Sequence, residues 1–295
     1  MNDPDDVDYT RRVALEVKAA HSLQLTVQGR CDSGLQGGAW HVADPAGRPA
    51  ILKWSHPSTP SKVREVAEVI RRVRAKGYPT PAWLAAGVTR DGVSYHVQEF
   101  VPGDASTPLT PPKVELLLDV LERQANLDPA LTHDWSRRVE IMALEDPPDG
   151  PRRVVQRLGA RGQVLLDHFD RLLAGFGTVQ LPRSDLVHGD FNSCNILLRH
   201  GAVSGVIDVE AVGRGTRAFD HASLLREAYV EGYGPEVAGL IRRAGEAVAG
   251  PGVLALCAAA ASFDIVGFKL KHEPDRIDQI LDRLHQLADD LAERL

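Results

Sequence analysis

The spacing of hydrophobic and polar residues changes about a third of the way along the chain. In the first hundred residues, short runs rich in β-branched and aromatic side chains predict strands. These runs lie at residues 23–28, 39–43, 50–54 and 93–100. A helix is expected at about residues 60–76, because valine and isoleucine recur there at helical spacing. Thr59 is its expected N-cap and Pro60 its first residue, and Gly77 ends it.

From residue 110 onward the pattern is mostly helical. One helix is expected to start at Pro111 and run through Leu121, and another covers about residues 163–174. The longest apolar run, residues 253–268, is shorter than a membrane-spanning helix and is interrupted by Ser262 and Asp264. It therefore predicts a buried helix of the core.

A short pair of strands interrupts the helices, at residues 196–198 and 203–207, with a turn at His200-Gly201. The chain is therefore expected to be an α+β protein. We expect a small β-rich N-lobe over residues 1–102 and a larger helical C-lobe over residues 103–295.

Composition and charge narrow the classes of partner. The formal net charge is -6, from 34 basic and 40 acidic residues, which argues against nucleic acid or an anionic membrane as the main partner. A cationic ligand is compatible with this charge. The first twelve residues lack the pattern of a signal peptide, and Cys31, Cys194 and Cys257 are too far apart for a metal-binding pair. We expect reduced cysteines and a cytoplasmic protein, and the sequence leaves the oligomeric state open.

The strongest chemical signal runs from His188 to Asn195. Its spacing, H-x-D-x-x-x-x-N, matches the catalytic loop of kinases, in which Asp meets the substrate hydroxyl and Asn holds Mg²⁺. A turn at His200-Gly201 would bring Asp208, at the end of the next strand, beside Asn195. A carboxylate and a carboxamide at one strand edge suit Mg²⁺. The alternative is that these Asp and Asn residues only form turns.

Lys53 lies in an otherwise apolar predicted strand, after a glycine-rich turn at residues 33–38. Glycines between two strands let backbone N–H groups approach phosphates, although the run does not fit G-x-G-x-x-G. A kinase lysine also needs a carboxylate from the next helix. Glu68 falls nearly opposite the apolar stripe of that helix and Glu65 nearer its edge, so Glu65 is favoured and Glu68 is expected on a solvated face.

Together these motifs resemble the aminoglycoside phosphotransferase family, with choline, fructosamine and homoserine kinases as wider relatives. They cover residues 29–103 and 185–225 and imply the two-lobed protein-kinase-like fold. The residues that carry the resemblance are Val187-His188-Gly189-Asp190, Asn195-Ile196-Leu197, Gly205-Val206-Ile207-Asp208, Glu99-Phe100-Val101-Pro102-Gly103, Arg64-Glu65, Gly77-Tyr78-Pro79-Thr80-Pro81 and Phe219-Asp220-His221-Ala222.

The resemblance implies a role for each matching residue of the reaction centre. Asp190 would orient the substrate hydroxyl and accept its proton, while Asn195 and Asp208 would bind Mg²⁺. Lys53, held by Glu65, would contact the phosphates of ATP.

The resemblance also implies how the rest of the nucleotide is held. The loop over the phosphates would contain Ser33, Gly34 and Gly37. Adenine would bond to the Glu99 carbonyl and the Val101 amide, with GTP as an alternative nucleotide.

Some positions depart from the family pattern. Val209 stands where relatives often have Trp, Gly215-Thr216-Arg217 replaces a common Gly-Asp-Pro, and His221 replaces a usual Leu. These departures leave the substrate open. The chain has no Asp-Phe-Gly or Ala-Pro-Glu element after Asp208, which argues against a protein kinase.

Two carboxylates are candidates for the acceptor pocket. Asp264 interrupts an apolar stretch, and a buried carboxylate there would need a partner, while Glu210 follows Asp208 by two residues. Both are expected to face a cationic acceptor, and the alternative for each is a capped or salt-bridged structural carboxylate.

The predicted function is transfer of the ATP γ-phosphate to a hydroxyl of a small, cationic molecule, with an aminoglycoside or related antibiotic favoured. One alternative is a metabolic kinase of the choline, homoserine or sugar type. Another is a catalytically silent nucleotide-binding pseudokinase, against which the retention of Lys53, Asp190, Asn195 and Asp208 speaks.

Overall fold

The computed structural model describes residues 6–31, 38–127 and 132–295. The chain divides into two compact units, Met1–Gly103 with Ser204–Ile207, and Asp104–Val203 with Asp208–Leu295. The first unit is built around an antiparallel sheet and the second is mostly helical, so the fold class is α+β.

The first unit contains a five-stranded antiparallel sheet and two helices. In chain order its elements are α1 (Val7–His21), β1 (Thr26–Arg30), β2 (Gly38–Ala43), β3 (Pro49–Pro57), α2 (Pro60–Ala75), β4 (Trp83–Val88) and β5 (Val93–Glu99). The strand order is β1-β2-β3-β5-β4, which makes β3 the central strand. Lys53 on β3 is paired in register with Ala39 on β2 and His96 on β5.

Local sequence signals account for α2. Its N-cap is Thr59, whose hydroxyl accepts a hydrogen bond from the Lys62 amide at 3.3 Å, and Pro60 occupies its first turn. Its buried side chains are those of Val63, Val69, Ile70 and Val73. The predicted helix is therefore confirmed, and so are the four predicted strands, with shifted ends.

Two elements of the first unit were not predicted. Helix α1 buries Tyr9, Val13 and Val17, which are four residues apart and so share one face, and Asp6 caps its N-terminus. Its edge-on contact between Tyr9 and Trp54, at 4.7 Å between ring centroids, packs it against β3. Strand β4 has the sequence WLAAGV, and its alanines and glycine give a weak strand signal.

The second unit is mostly helical. Its elements in chain order are β6 (Asp104–Ala105), α3 (Pro111–Glu122), α4 (Trp135–Leu144), α5 (Pro151–Gln156), α6 (Ala160–Phe176), β7 (Asp185–Val187), β8 (Ile196–Arg199), β9 (Ala202–Val206), β10 (Gly213–Gly215), α7 (Ala218–Glu231), α8 (Pro235–Ala249), α9 (Pro251–His272) and α10 (Ile277–Ala292). The last residues of β9 belong to the first unit. The predicted helices at residues 111–121 and 163–174 are confirmed as α3 and α6.

Short strands frame the loops of the second unit. The predicted hairpin is confirmed as β8 and β9, joined at His200 and Gly201, which both have positive φ, as a two-residue hairpin turn requires. Strand β6 pairs with β8, and β10 pairs antiparallel with β7, opposing Gly213 to Val187. The expected position of Asp208 beside Asn195 stays a prediction.

Helix α9 is the most apolar element. Among the described residues it alone has the length and composition to cross a membrane, but 72% of its most apolar window is buried inside the protein. It packs against α4, α5, α6, α7, α8 and α10. Core helices of soluble proteins share this composition, so this feature is weak evidence for a membrane span. The prediction of a buried core helix at residues 253–268 is confirmed.

His221, in the first turn of α7, makes the stability of the protein depend on pH. Its ring is fully buried, its Nδ1 lies 3.0 Å from the Arg217 carbonyl oxygen, and its Nε2 has no hydrogen-bond partner among the described residues. Burial lowers the pKa of His221 from 6.5 to about 4. Between pH 6.5 and 4, His221 binds a proton in the unfolded chain but not in the folded chain. The free energy of unfolding therefore falls as the pH drops from 6.5 to 4.

We expect the variant His221→Leu to remove this dependence. One pKa unit corresponds to about 1.4 kcal/mol, so the wild type should lose up to about 3 kcal/mol of unfolding free energy through this group between pH 6.5 and 4. Urea unfolding at a series of pH values measures the difference. Parallel pH profiles for the two proteins would contradict the prediction.

Candidate active site

The catalytic-loop motif forms a compact turn between β7 and β8. Asp190 is exposed, and Asn195 is buried. The Asn195 side-chain nitrogen donates to the main-chain oxygen of Asp190 at 2.9 Å and to its carboxylate at 3.2 Å. The Asn192 side chain donates to the other carboxylate oxygen of Asp190 at 3.0 Å. Two amides thus fix the orientation of a carboxylate that remains open to solvent.

The start of this loop is anchored by Asp220, which lies on α7 and is completely buried. Its carboxylate accepts hydrogen bonds from the backbone amides of His188 (2.7 Å) and Gly189 (3.0 Å) and from the Gln124 side chain (3.0 Å). Burial raises the pKa of Asp220, and the charge of His188 and these hydrogen bonds oppose the rise. Asp220 thereby holds the backbone just before Asp190.

Trp135, at the start of α4, contacts the loop before Asp190 and the turn after Asp208. Gly189 has φ +86°, and a Cβ added there would lie 2.1 Å from the Trp135 ring, so only glycine fits. The Trp135 indole donates to the Ala211 carbonyl at 2.8 Å. Its ring also stacks on Phe219, with 4.9 Å between centroids.

A second carboxylate of α7 holds the end of the loop. Ser193, fully buried, donates its backbone amide to Glu227 at 2.9 Å and its hydroxyl to the other carboxylate oxygen. The Ser193 carbonyl accepts from the Ser106 amide (3.0 Å) and hydroxyl (2.8 Å). Burial raises the pKa of Glu227, and the bonds from Ser193 oppose the rise.

Asp208 follows β9 and precedes a 3₁₀ turn, Val209–Ala211. Its backbone is left-handed, with φ 61° and ψ 43°, a conformation that aspartate tolerates better than most residues. Both predicted metal ligands, Asp208 and Asn195, belong to the second unit.

The donor chemistry of these two residues fits Mg²⁺. The Asn195 nitrogen is committed to Asp190, which leaves the amide oxygen as the atom that a cation would take. Among the described residues there is no cluster of three or more His, Cys, Asp or Glu side chains that would make an all-protein metal cage. Mg²⁺ usually takes one or two protein ligands together with phosphate oxygens and water.

In the first unit, the two candidate glutamates of α2 differ in their surroundings. Glu68 is exposed and pairs with Arg71 at 2.6 Å and Arg72 at 3.8 Å along the helix, as expected for a solvated face. Glu65 is half-buried, and so is Lys53 on β3. The structure therefore favours Glu65 over Glu68 as the carboxylate that faces inward, as the helical geometry predicts.

Substitution of the two glutamates should separate their roles. We expect Glu65→Gln to raise the KM for ATP about tenfold or more with a smaller effect on acceptor KM, because Lys53 would lose the group that orients it toward the phosphates. Steady-state ADP release at varied ATP measures this, and Glu68→Gln is the matched control. Equal effects of both variants would contradict the assignment.

The remaining predictions of nucleotide contacts concern the loop between β1 and β2 and the segment that follows β5. Ser33, Gly34 and Gly37 lie outside the described residues. At the end of β5, the Glu99 carboxylate accepts from Arg74 at 2.9 Å and from the Ala82 amide at 3.1 Å, and the Glu99 amide donates to the Ala82 carbonyl. This side chain fixes the segment that leads to Val101. The adenine contacts of Glu99 and Val101 stay predictions.

Asp264 differs from its sequence expectation. The expected buried carboxylate is in fact exposed, although Phe263 and Val266 beside it on α9 are buried. Desolvation by surrounding protein atoms nevertheless raises the pKa of Asp264. The Asp264 side chain is thus accessible to water and also surrounded by many protein atoms. It therefore lies in a concave part of the surface. Glu210 is half-buried in the turn after Asp208.

Two arginines and the carboxylate of Asp190 act electrostatically on Asp264. The positive charges of Arg138 (α4) and Arg226 (α7) lower the pKa of Asp264, and the negative charge of Asp190 raises it. Neither arginine forms an ion pair with any residue that the structure describes, and the buried Nε of Arg226 has no hydrogen-bond partner there. The surroundings of Asp264 therefore carry charges of both signs.

Sequence reasoning missed several of these groups. Glu227, Arg138 and Arg226 come from helices, and Gln124 from the turn after α3, all far from the motif in sequence, and nothing in their local pattern marks them. The sequence marks Asp220 only as part of a motif and does not indicate that it bonds to the loop.

Solved structures with this fold include aminoglycoside and antibiotic kinases. A thermostable mutant of aminoglycoside phosphotransferase APH(4)-Ia, in a ternary complex with AMP-PNP and hygromycin B, is 16% identical over 95% of this chain and 98% of that chain, with a TM-score of 0.68. An aminoglycoside-3'-phosphotransferase of type VIII is 24% identical over 85% of this chain and 98% of that chain (TM-score 0.56). Amicoumacin kinase hAmiN, in complex with AMP-PNP, Ca²⁺ and Ami, is 15% identical over 97% of this chain and 94% of that chain (TM-score 0.58). At these identities the likeness establishes the protein-kinase-like fold.

The fold and the catalytic loop define a small-molecule kinase. The model of the phosphotransferase enzyme family (APH) matches residues 30–257, which is more than half of the chain, and the protein belongs to that family. No curated protein matches the chain.

Proposed function

We propose that the protein transfers the γ-phosphate of ATP to a hydroxyl of a small molecule that carries amino groups, in a Mg²⁺-dependent reaction. The observation that carries this proposal is the exposure and the fixed orientation of the Asp190 carboxylate. This carboxylate is exposed, oriented by Asn192 and Asn195, and mounted on backbone that the buried Asp220 holds. Such rigid positioning is what phosphoryl transfer asks of an enzyme. GTP is an alternative nucleotide.

The proposed reaction has one covalent exchange. The acceptor oxygen forms a bond to the γ-phosphorus, the bond to the bridging oxygen of ADP breaks, and Asp190 accepts the proton of the acceptor hydroxyl. Asn195 and Asp208 would hold Mg²⁺, which neutralises charge on phosphate oxygens when bound. Lys53 adds a positive charge for the phosphates, and Glu65 orients it.

The acceptor is proposed to be cationic, and an aminoglycoside or a related antibiotic is the favoured class. The charge of Asp190 raises the pKa of Asp264, so the two carboxylates lie in the same region of the protein. An acceptor whose amino group binds to Asp264 would therefore have its neighbouring hydroxyl close to Asp190. Glu210, in the turn after Asp208, offers a second carboxylate. Structures of related fold contain hygromycin B or the ligand Ami, which supports an antibiotic as acceptor.

One observation favours a metabolic kinase as the second candidate. Arg138 and Arg226 bring positive charge to Asp264, and guanidinium groups are suited to carboxylate recognition. An acceptor with an amine, a hydroxyl and a carboxylate would suit these side chains. Its amine would pair with Asp264, and its carboxylate would pair with Arg138 and Arg226. A hydroxy amino acid has this chemistry.

The test is Mg²⁺-dependent ADP release from ATP in the presence of single acceptors. Aminoglycosides and cyclic-peptide antibiotics represent the first candidate, with choline and ketosamines as further acceptors. L-Homoserine paired with 3-amino-1-propanol, which lacks only the carboxylate, tests the second. Stimulation by an antibiotic alone supports resistance, and preference for homoserine over its partner supports the metabolic kinase.

Asp190→Asn is the control for every acceptor in this assay. Tight ATP binding without turnover on any of them would overturn the proposal and leave a pseudokinase. A cytoplasmic location, and an acceptor that is neither nucleic acid nor membrane, remain part of the proposal.

A further inference from the structure

Every polar atom of Ser193 is engaged, which is unusual for a loop serine. Its amide and its hydroxyl both donate to the carboxylate of Glu227, and its carbonyl accepts from the amide and the hydroxyl of Ser106. Ser193 is also fully buried. The residue is therefore a fixed point of the chain.

Asn195 lies two residues beyond this fixed point, in the same 3₁₀ turn, Ser193–Asn195. The side chain of Asn192 closes the turn by accepting from the Cys194 amide at 3.0 Å, and the Asn195 amide donates to the Asn192 carbonyl. A displacement of Ser193 is transmitted to Asn195 through one rigid turn. The same turn also reaches Asp190, because Asn192 and Asn195 donate to its carboxylate, while Asp220 holds the backbone just before Asp190.

The two carboxylates of α7 that hold the loop are seven residues apart. Seven residues bring a helix back to nearly the same face, so Asp220 and Glu227 project toward the same side. Asp220 holds the segment before Asp190, and Glu227 holds the segment before Asn195. One helix thus fixes the spacing between the proposed catalytic residue and the proposed metal ligand.

Both oxygens of the Glu227 carboxylate act as hydrogen-bond acceptors. One oxygen accepts from the Ser193 amide, and the other accepts from the Ser193 hydroxyl and, at 3.4 Å, from the Tyr233 hydroxyl. Glutamine has the same shape but only one acceptor oxygen, so with that oxygen bound to the Ser193 amide the proton of the Ser193 hydroxyl would lose its acceptor. A buried donor left without an acceptor costs about 1–3 kcal/mol, which is enough to displace the turn.

We propose that Glu227 is a positioning residue for metal binding: through Ser193 it sets the place of Asn195, a ligand of the nucleotide-bound Mg²⁺. This inference rests on the metal role given to Asn195 in the proposed function. Residues that orient a metal ligand from behind typically change metal affinity about 10–100-fold when mutated.

The test compares binding of the non-hydrolysable nucleotide AMP-PNP with and without Mg²⁺, by calorimetry, in wild type and Glu227→Gln. We expect affinity without Mg²⁺ to be unchanged and the gain on adding Mg²⁺ to shrink about tenfold or more. The Mg²⁺ concentration that half-activates ADP release should rise by the same factor. Ser193→Ala, which keeps the amide bond to Glu227 and loses the hydroxyl bond, should show a smaller shift.

Tyr229→Phe is the matched control. Tyr229 lies on the same helix and donates its hydroxyl to another carboxylate, Asp290 on α10, which does not contact the loop. This variant should leave the Mg²⁺ response unchanged even if it lowers the melting temperature.

The outcomes separate the inference from the proposed function. A Glu227→Gln protein with a lower melting temperature but a wild-type Mg²⁺ response would overturn the positioning role and leave a structural one. Wild-type protein that binds AMP-PNP equally with and without Mg²⁺ would instead overturn the proposed function itself.

Discussion

Replacing Asp190 by asparagine is expected to lower the turnover number about 10²–10⁴-fold while leaving nucleotide affinity nearly unchanged. Asparagine keeps the shape of the side chain, but it cannot accept the proton of the acceptor hydroxyl. One of the two amides that now donate to the Asp190 carboxylate would also lose its acceptor. Steady-state ADP release gives the turnover number, and calorimetry with AMP-PNP gives the affinity.

The controls for this prediction lie within the same loop. Asn192→Ala removes one hydrogen bond to the Asp190 carboxylate and retains the carboxylate, so its rate should fall far less than that of Asp190→Asn. An undiminished rate in the Asp190→Asn protein would remove Asp190 from the catalytic role.

Replacing Asp208 by alanine is expected to abolish the Mg²⁺-dependent part of nucleotide binding and, with it, turnover at physiological Mg²⁺. Of the two proposed ligands, Asp208 alone carries a charge, and a divalent cation loses most from the removal of a negative ligand. Calorimetric titration of AMP-PNP at a series of Mg²⁺ concentrations measures the effect. Partial recovery at high Mg²⁺ would fit a weakened site.

An acidic residue outside the site provides the comparison for Asp208. Asp282 is exposed on α10, and Asp282→Ala changes the net charge by the same amount. This variant should bind AMP-PNP and Mg²⁺ as the wild type does. If the Asp208→Ala protein also did so, Asp208 would not be a metal ligand.

The features that were predictable from sequence are those whose cause is local. Helix α2 was predictable because its cap, first-turn proline and apolar stripe lie within one short segment. The β8–β9 hairpin was predictable because His200 and Gly201 both accept positive φ. The spacing from Asp190 to Asn195 was informative because a single turn sets it.

The features that were not predictable depend on residues distant in sequence. Glu227 looks like any helix-surface glutamate until the fold brings it against Ser193, 34 residues earlier. Helix α1 was missed because the residues around its start are mostly acidic and polar. Its short apolar face becomes recognisable only once it is seen to pack against β3.

Asp264 shows the converse limit. Its apolar neighbours in sequence predicted burial, yet α9 is buried on most sides and opens to solvent at this residue. Periodicity along one helix cannot reveal where its neighbours leave a gap. The same reasoning could not foresee Arg138 and Arg226, which α4 and α7 bring to that gap.

The apolar helix α9 also bears on how the chain is made. Of the helices against which it packs, α4, α5, α6, α7 and α8 precede it in sequence and α10 follows it, so most of its partners have left the ribosome before α9 does. During vectorial synthesis, this apolar helix therefore emerges when most of its docking surface has already been translated. A circular permutant that places α9 first would lose this ordering, and we expect it to give more insoluble protein on expression even where its native contacts are the same.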